Sequence, residues 1–170
     1  FQYNGLSPWN NALAGTAVHN TLLVDGHDQM QRAGRFLWLD WAQATVIAHE
    51  MGENGTIKSV TAEHNGYRKL GIRHQRTLQA IDHGWVISDL LFPCRRPSPR
   101  ELDAMITWQL PDWTWYLMAE NIIQLKDPKT AFQLTIEGPC DISIFRAGEC
   151  IHGNMDDRPT WGWVCPTYTI

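Results

Sequence analysis

Residues 15–30 read Gly-Thr-Ala-Val-His-Asn-Thr-Leu-Leu-Val-Asp-Gly-His-Asp-Gln-Met, a strand-like run that ends in a turn. Its apolar positions follow a period of two, as in a strand with one buried face, at Val18, Leu22 and Val24. The dipeptide Asp25-Gly26 is typical of hairpin turns. The stretch therefore predicts a buried strand that enters a hairpin, with His19 on the strand near its beginning.

The rest of the chain repeats this pattern of short apolar segments separated by turn residues. Turn formers occur at Glu53-Asn54-Gly55, at Asn65-Gly66 and at Asp82-His83-Gly84, and no segment keeps a helical period of 3.6 residues. The predicted strands cover approximately residues 17–24, 36–40, 42–50, 57–64, 68–81, 84–91, 102–110, 113–118, 121–126, 130–136 and 141–146. Many short strands at regular spacing predict an all-β fold, an antiparallel β-sandwich.

The segment Pro93–Arg100 contains three prolines and three arginines and is predicted to be a loop. Proline has no N–H to donate to a neighbouring strand. The arginines Arg95, Arg96 and Arg100 suit bidentate binding of a carboxylate or sulfate, and solvated surface charge is the alternative.

The chain has 170 residues, of which 44% are hydrophobic, so residues 1–170 can form one domain with its own core. Its net charge of -4 makes nucleic acid an unsuitable partner. No apolar run is long enough to span a membrane, and the first residues do not form a signal peptide. The abrupt start at Phe1 and the strand-like end at Ile170 suggest a piece of a longer protein.

Cysteine and tryptophan leave alternatives open. Cys94, Cys140, Cys150 and Cys165 include no Cys-x-x-Cys pair, which disfavours a zinc ribbon. In an oxidising compartment they allow three pairings, and otherwise they serve as small buried thiols. The nine tryptophans suit either stacking on sugars or packing in sheet cores.

Five motifs resemble, in the same order, the β-sheet domain of the heparinase II/III-like polysaccharide lyases. The motifs are Gly-Thr-x-x-His-Asn-Thr-x-x-Val-Asp-Gly-x-x-Gln at residues 15–29, Gly-Arg-Phe-Leu-Trp at 34–38, Ala-Glu-His-Asn-Gly-Tyr at 62–67, Arg-His-Gln-Arg at 73–76 and Gly-Trp-Val-Ile-Ser-Asp at 84–89. The resemblance implies a supersandwich-like sheet domain that follows an α/α toroid domain. One departure is Gln109, which stands where many relatives have a histidine.

The resemblance also implies a reaction, the β-elimination of uronate-containing anionic polysaccharide such as heparan sulfate or alginate, in the periplasm or outside the cell. It places His19 at the cleft as a catalytic residue, with Asn20, Tyr67 and Arg76 as candidate substrate contacts. The alternative for Tyr67 is a structural role as a core residue beside a turn. Arg76 is expected to be half-buried and paired with an acidic side chain. Because the toroid supplies the remaining catalytic groups, this chain alone is expected to be an incomplete lyase.

A divalent metal ion is a further expectation from the resemblance. Asp40 and His64, with His19 as a third ligand, are the candidate metal site, for Zn²⁺ or Ca²⁺. The alternative is that Asp40 and His64 only hydrogen-bond the backbone.

Two functions from other classes stay open. The chain can be a non-catalytic module that binds carbohydrate or docks against another domain. Glycoside hydrolysis by a pair of carboxylates is also compatible with the sequence, although nothing singles out a pair among Asp89, Glu101, Asp103 and Glu120. The sequence contains no nucleophile elbow, phosphate loop or dinucleotide fingerprint.

Overall fold

The structure is a computed structural model that describes residues 6–34, 36–94, 101–156 and 158–163. Every strand pair within these ranges is antiparallel, and the helical segments there are three single 3₁₀ turns, at Ala12–Ala14, Thr16–Val18 and Arg68–Leu70. The chain is therefore all-β and antiparallel, which confirms the predicted fold class and is consistent with a β-sandwich. No helix in these ranges is long and apolar enough to cross a membrane.

Thirteen strands follow one another along the described residues. They are β1 Leu22–Val24, β2 Gln31–Arg32, β3 Trp38–Leu39, β4 Ala44–Met51, β5 Ile57–His64, β6 Ile72–Ile81, β7 Gly84–Pro93, β8 Ala104–Ile106, β9 Thr114–Ala119, β10 Ile122–Lys126, β11 Ala131–Thr135, β12 Ile144–Arg146 and β13 Glu149–His152.

The chain divides into two compact units. The first combines Phe1–Asn20 with Thr107–Ile170, and the second is Thr21–Ile106. The first unit contains the sheet β11-β10-β9 and the pair β12-β13, and Ile123 and Leu125 of β10 are buried. The second unit contains the four-stranded sheet β4-β5-β6-β7 and the pairs β1-β8 and β2-β3.

Tight turns set the register of the four-stranded sheet. Asp82 and His83 form the turn between β6 and β7, so that Ile81 pairs with Gly84. Because side chains alternate between the faces of a sheet, this register places Arg76 opposite Asp89 on one face. The predicted turns at residues 53–55 and 82–84 are both confirmed.

The core of the second unit lies around Tyr67, which is 1% exposed and packs with Val24 and Ile72. The Tyr67 hydroxyl donates a hydrogen bond to the Leu22 carbonyl of β1. Gly66, just before it, has no room for a side chain, since a Cβ there would lie 3.0 Å from both Gln29 Cβ and His64 Nδ1. The His-Asn-Gly-Tyr motif is thus a turn that inserts its tyrosine into the core.

The predicted turn after β1 is also confirmed. Asp25 and Gly26 have φ values of 49° and 69°, as in a type I′ turn, and His27 N–H donates to the Val24 carbonyl at 2.9 Å. Asp25 and Asp103 are joined by two hydrogen bonds, from Asp25 N–H to the Asp103 carbonyl at 2.7 Å and from Asp103 N–H to Asp25 Oδ1 at 3.0 Å.

Three details of the strand prediction were wrong. His19 is not on a strand, because Thr16–Val18 form a 3₁₀ turn and β1 begins only at Leu22. The Gln109 side chain donates to the Val18 carbonyl, and the Asn20 side chain accepts from the Gln109 backbone N–H, where a neighbouring strand was expected. The short strands β2 and β13 were not predicted, and Pro93 ends β7 instead of starting the loop. The arginines of that loop lie outside the described residues.

Candidate functional site

His19 is exposed, and its ring is held in one orientation. Its backbone is extended, with φ −121° and ψ 157°, directly after the 3₁₀ turn. The ring atom Nδ1 lies 2.7 Å from the Gly15 carbonyl oxygen, which can only accept a hydrogen bond, so Nδ1 carries the proton. The neutral ring therefore keeps its lone pair on Nε2, and this atom makes no hydrogen bond to any described residue. Such an imidazole can take up a proton or bind a metal through Nε2.

Asn20 and Gln109 fix the backbone on both sides of His19, within the first unit. Asn20 Oδ1 accepts the Gln109 N–H at 2.6 Å, and Gln109 Nε2 donates to the Val18 carbonyl at 2.6 Å. Thr107 adds a hydrogen bond from its hydroxyl to the Ala17 carbonyl at 2.9 Å. Gln109 thus anchors the segment that presents His19.

The second unit contains a chain of four hydrogen-bonded polar side chains across β5, β6 and β7. His64 Nε2 lies 2.8 Å from His74 Nδ1, and His74 Nε2 lies 2.5 Å from Asp89 Oδ1. Arg76 donates from Nε to Asp89 Oδ1 at 2.7 Å and from a terminal nitrogen to Oδ2 at 2.9 Å. His74 is 2% exposed, so it depends on these partners for its polar contacts.

Gly66 and Asp89, the partners at the two ends of this hydrogen-bonded row of side chains, decide where each ring proton lies. Gly66 N–H donates to His64 Nδ1 at 3.1 Å, so that nitrogen carries a lone pair and the ring proton is on Nε2. At the other end the Asp89 carboxylate, paired with Arg76, accepts from His74 Nε2–H. Each donor therefore points from β5 towards β7, and both histidines are neutral. Asp89 and Arg76 supply one negative and one positive charge, which compensate each other.

The pKa values of His64 and Asp89, in the hydrogen-bonded row of side chains, agree with this assignment. Burial is the largest influence and lowers the pKa of His64 from 6.5 to about 4; His74, whenever it is protonated, and Arg76 act in the same direction. For Asp89, burial is the largest single influence and acts to raise the pKa. The hydrogen bonds from His74 and Arg76 and the charge of Arg76 together overcome it, so that the pKa of Asp89 lies below its ordinary value. Both groups keep at neutral pH the charge state that the hydrogen bonds need.

The lowered pKa of His64 predicts a loss of stability in mild acid for the chelator-treated, metal-free chain. Between pH 6.5 and about 4 the unfolded chain binds a proton at His64 that the folded chain does not, so stability falls as pH decreases. Because His64 is only half-buried, solvent screening limits the expected loss to about 1–2 kcal/mol. Urea unfolding at a series of pH values measures it. His64→Gln should flatten the slope, and His83→Gln, in the exposed β6–β7 turn, should not; an unchanged slope in His64→Gln would contradict the assignment.

Arg76 and Tyr67, two of the predicted substrate contacts, have structural partners. Arg76 is half-buried and paired with Asp89, as predicted, with 20% of its side chain exposed. Tyr67 lies in the core, which is the alternative that its sequence context also allowed. Burial raises the pKa of Tyr67 to about 12, so its hydroxyl keeps its proton and donates a hydrogen bond to the Leu22 carbonyl. A role of either residue in binding substrate stays a prediction.

Asp40 and His64, the predicted metal ligands, are each occupied by other partners. The Asp40 carboxylate pairs with Lys69 and lies 3.7 Å from Arg68, and the Lys69 ammonium lowers the pKa of Asp40. Both ring nitrogens of His64 accept or donate hydrogen bonds within the sheet. No group of three or more His, Cys, Asp or Glu side chains in the described ranges is arranged to hold a metal. The metal site at Asp40 and His64 stays a prediction.

The cysteines that the structure describes are not cross-linked. Cys94, Cys140 and Cys150 are free, and Cys165 lies outside the described residues. The disulfide pairing that the sequence left open therefore stays untested.

Two members of the polar chain were not predicted in this role: His74 was not a candidate site residue, and Asp89 was named only among four carboxylates compatible with glycoside hydrolysis. The role of Asp89 was predictable from the hairpin turn at residues 82–83, because this turn places Asp89 opposite Arg76. The contact between His64 and His74 follows from their pairing across β5 and β6, where the connection is an irregular turn.

Comparison with known proteins supports the predicted family. The sequence model of the family described as heparinase II/III-like, C-terminal, matches residues 1–168, nearly the whole chain. No match is found among curated proteins or among solved structures. This match confirms the resemblance that the five motifs carry, and the family is one of polysaccharide lyases. The chain belongs to the heparinase II/III-like family, as its C-terminal domain.

Proposed function

We propose that this chain is the β-sheet domain of a lyase that cleaves uronate-containing anionic polysaccharide by β-elimination, with His19 at the reaction centre. The observation that carries the proposal is the state of His19, which is exposed and holds its lone pair on Nε2 through the bond from Nδ1–H to the Gly15 carbonyl. The family match supports the lyase class.

The reaction has three requirements that an imidazole can meet. A proton must leave the sugar carbon next to the carboxylate, the carboxylate charge must be stabilised as negative charge develops, and the departing oxygen must gain a proton. Nε2 of neutral His19 can accept a proton, and the protonated ring can then stabilise an anion or return the proton to the leaving group. The electron pair of the broken C–H bond forms the new C=C bond as the C–O bond breaks.

The remaining parts of the proposal concern partners. Asn20, which is exposed next to His19 and bonded to Gln109, would contact the same sugar. An N-terminal α/α toroid domain of the same protein would supply the other acid and base groups. Because the substrate is an extracellular polymer, we propose that the whole protein works in the periplasm or outside the cell.

The test is ultraviolet absorbance of the unsaturated uronate product, with heparan sulfate and alginate offered to the longer protein that includes the N-terminal domain. We expect His19→Ala to lower kcat/KM by about 10²–10⁴-fold, the range for loss of an acid–base group. His83→Ala is the matched control, because His83 lies exposed in the β6–β7 turn and should leave activity unchanged.

Three outcomes would contradict the proposal. Full activity of His19→Ala would remove His19 from the reaction. Turnover by the 170-residue chain alone would show that the acid and base groups do not lie outside it. Binding of polyuronate by the longer protein with no turnover would favour the non-catalytic binding module.

A further inference from the structure

Trp41 presents a fixed aromatic ring to solvent just after the β2–β3 hairpin. It is 71% exposed, yet its indole Nε1–H donates to the Trp38 carbonyl at 2.8 Å, which restrains the ring. A large exposed aromatic side chain held in one orientation is a rigid stacking surface, since little conformational entropy is lost when a ligand covers it.

Two cationic side chains of the 3₁₀ turn Arg68–Leu70 contact the backbone of Trp41 or the neighbouring Asp40. Arg68 donates from a terminal nitrogen to the Trp41 carbonyl at 3.4 Å, which places the guanidinium next to the Trp41 backbone. Lys69 Nζ contacts Gln31 Oε1 at 3.3 Å and pairs with Asp40. Of these two side chains, 37% and 62% of the surface remains exposed.

The charge of this group is positive although the whole chain is acidic. Arg68 and Lys69 share one described carboxylate, Asp40, at 3.7 Å from Arg68 and in closer contact with Lys69. One carboxylate against two cations leaves an excess positive charge, in a chain whose net charge is -4. An anion can therefore be attracted to this place even though the protein as a whole repels it.

We propose that Trp41, Arg68 and Lys69 form a binding subsite for one acidic sugar residue of a polysaccharide, a uronate or a sulfated pyranose. The apolar face of the pyranose ring stacks on the indole, and its carboxylate or sulfate accepts hydrogen bonds from Arg68 and Lys69 in exchange for part of their contact with Asp40. The inference rests on the proposed function, because it assigns a contact for the same class of substrate.

The subsite is tested by calorimetric titration of the 170-residue chain with a heparin-derived hexasaccharide and, separately, with uncharged maltohexaose. We expect the wild type to bind the hexasaccharide and not maltohexaose. Trp41→Ala should weaken binding about tenfold, the loss of a stacked aromatic, whereas Trp41→Phe should retain most of the affinity. Trp85→Ala is the matched control, since Trp85 is 59% exposed on β7 and should leave affinity unchanged.

A charge variant tests the second half of the subsite. Asp40→Asn removes the carboxylate that competes for Arg68 and Lys69, so it should tighten hexasaccharide binding, and the effect should shrink as salt is added. Lys69→Gln should do the opposite. Because these side chains are exposed, circular dichroism of each variant should match the wild type.

Several results would overturn the subsite. Unchanged affinity in Trp41→Ala, equal binding of maltohexaose, or no binding of the hexasaccharide by the wild type would each do so. Loss of association with the N-terminal domain in Trp41→Ala, with sugar affinity intact, would assign this surface to a domain contact. None of these results changes the product absorbance of the longer protein, so failure of the subsite is separate from failure of the lyase proposal.

Discussion

Asp89→Asn is expected to lower the unfolding free energy by about 3 kcal/mol, the scale for breaking a buried ion pair. The carboxylate is 11% exposed and accepts from both Arg76 and His74. An asparagine keeps the shape but leaves the guanidinium of Arg76 without a compensating charge, and its amide must turn one N–H towards a donor. Urea unfolding followed by circular dichroism measures the loss.

The matched control for Asp89→Asn is Glu63→Gln, on the same four-stranded sheet. Glu63 pairs with Arg73 at 2.6 Å, but 48% of the Arg73 side chain is exposed. Exposed pairs contribute little, so the expected loss is below about 1 kcal/mol. Equal losses in the two variants would contradict the view that Asp89 holds a buried chain together.

Tyr67→Ala is expected to lower the unfolding free energy by about 4 kcal/mol, since it removes a fully buried aromatic ring. The ring packs with Val24 and Ile72, and surrounding strands can close only part of the space. Tyr67→Phe keeps the packing and removes the hydroxyl bond to the Leu22 carbonyl, so it should lose only about 1 kcal/mol. Urea unfolding of the two variants separates packing from hydrogen bonding.

Tyr116→Ala provides the comparison for Tyr67. Tyr116 lies on β9 and is 50% exposed, and surface substitutions of this kind usually change stability by less than about 0.5 kcal/mol. If Tyr67→Ala were as mild as Tyr116→Ala, Tyr67 would not lie in the core and its prediction as a substrate contact would regain support.

Local sequence signals predicted most of the fold. The turn residues at 53–55 and 82–84 bound strands that the structure contains, and β5 occupies the predicted residues 57–64. Periodicity failed at His19, where the apolar pattern continues through residues that a side chain from Gln109 binds instead. That residue lies 91 positions from Val18, so no local pattern can report it.

The candidate site was predictable only in part for the same reason. A two-residue turn fixes the pairing of β6 with β7, so the contact of Arg76 with Asp89 follows from the sequence once the turn is recognised. The pairing of His64 with His74 depends on the connection through Tyr67 and the 3₁₀ turn, whose length sets no standard register. The tautomers then follow from contacts with the Gly15 carbonyl and the Gly66 N–H, which the turn and motif signals at these glycines do not reveal.

The pair β1-β8 has a consequence for how the chain is partitioned. Residues Thr21–Ile106 form one unit, and Leu22 pairs with Ile106 at its two ends. The polypeptide thus enters and leaves this unit through two adjacent antiparallel strands, and Asp25 and Asp103 close the junction with two further hydrogen bonds. In sequence, this unit is inserted between the two segments of the first unit, and its own two ends are paired strands that lie side by side.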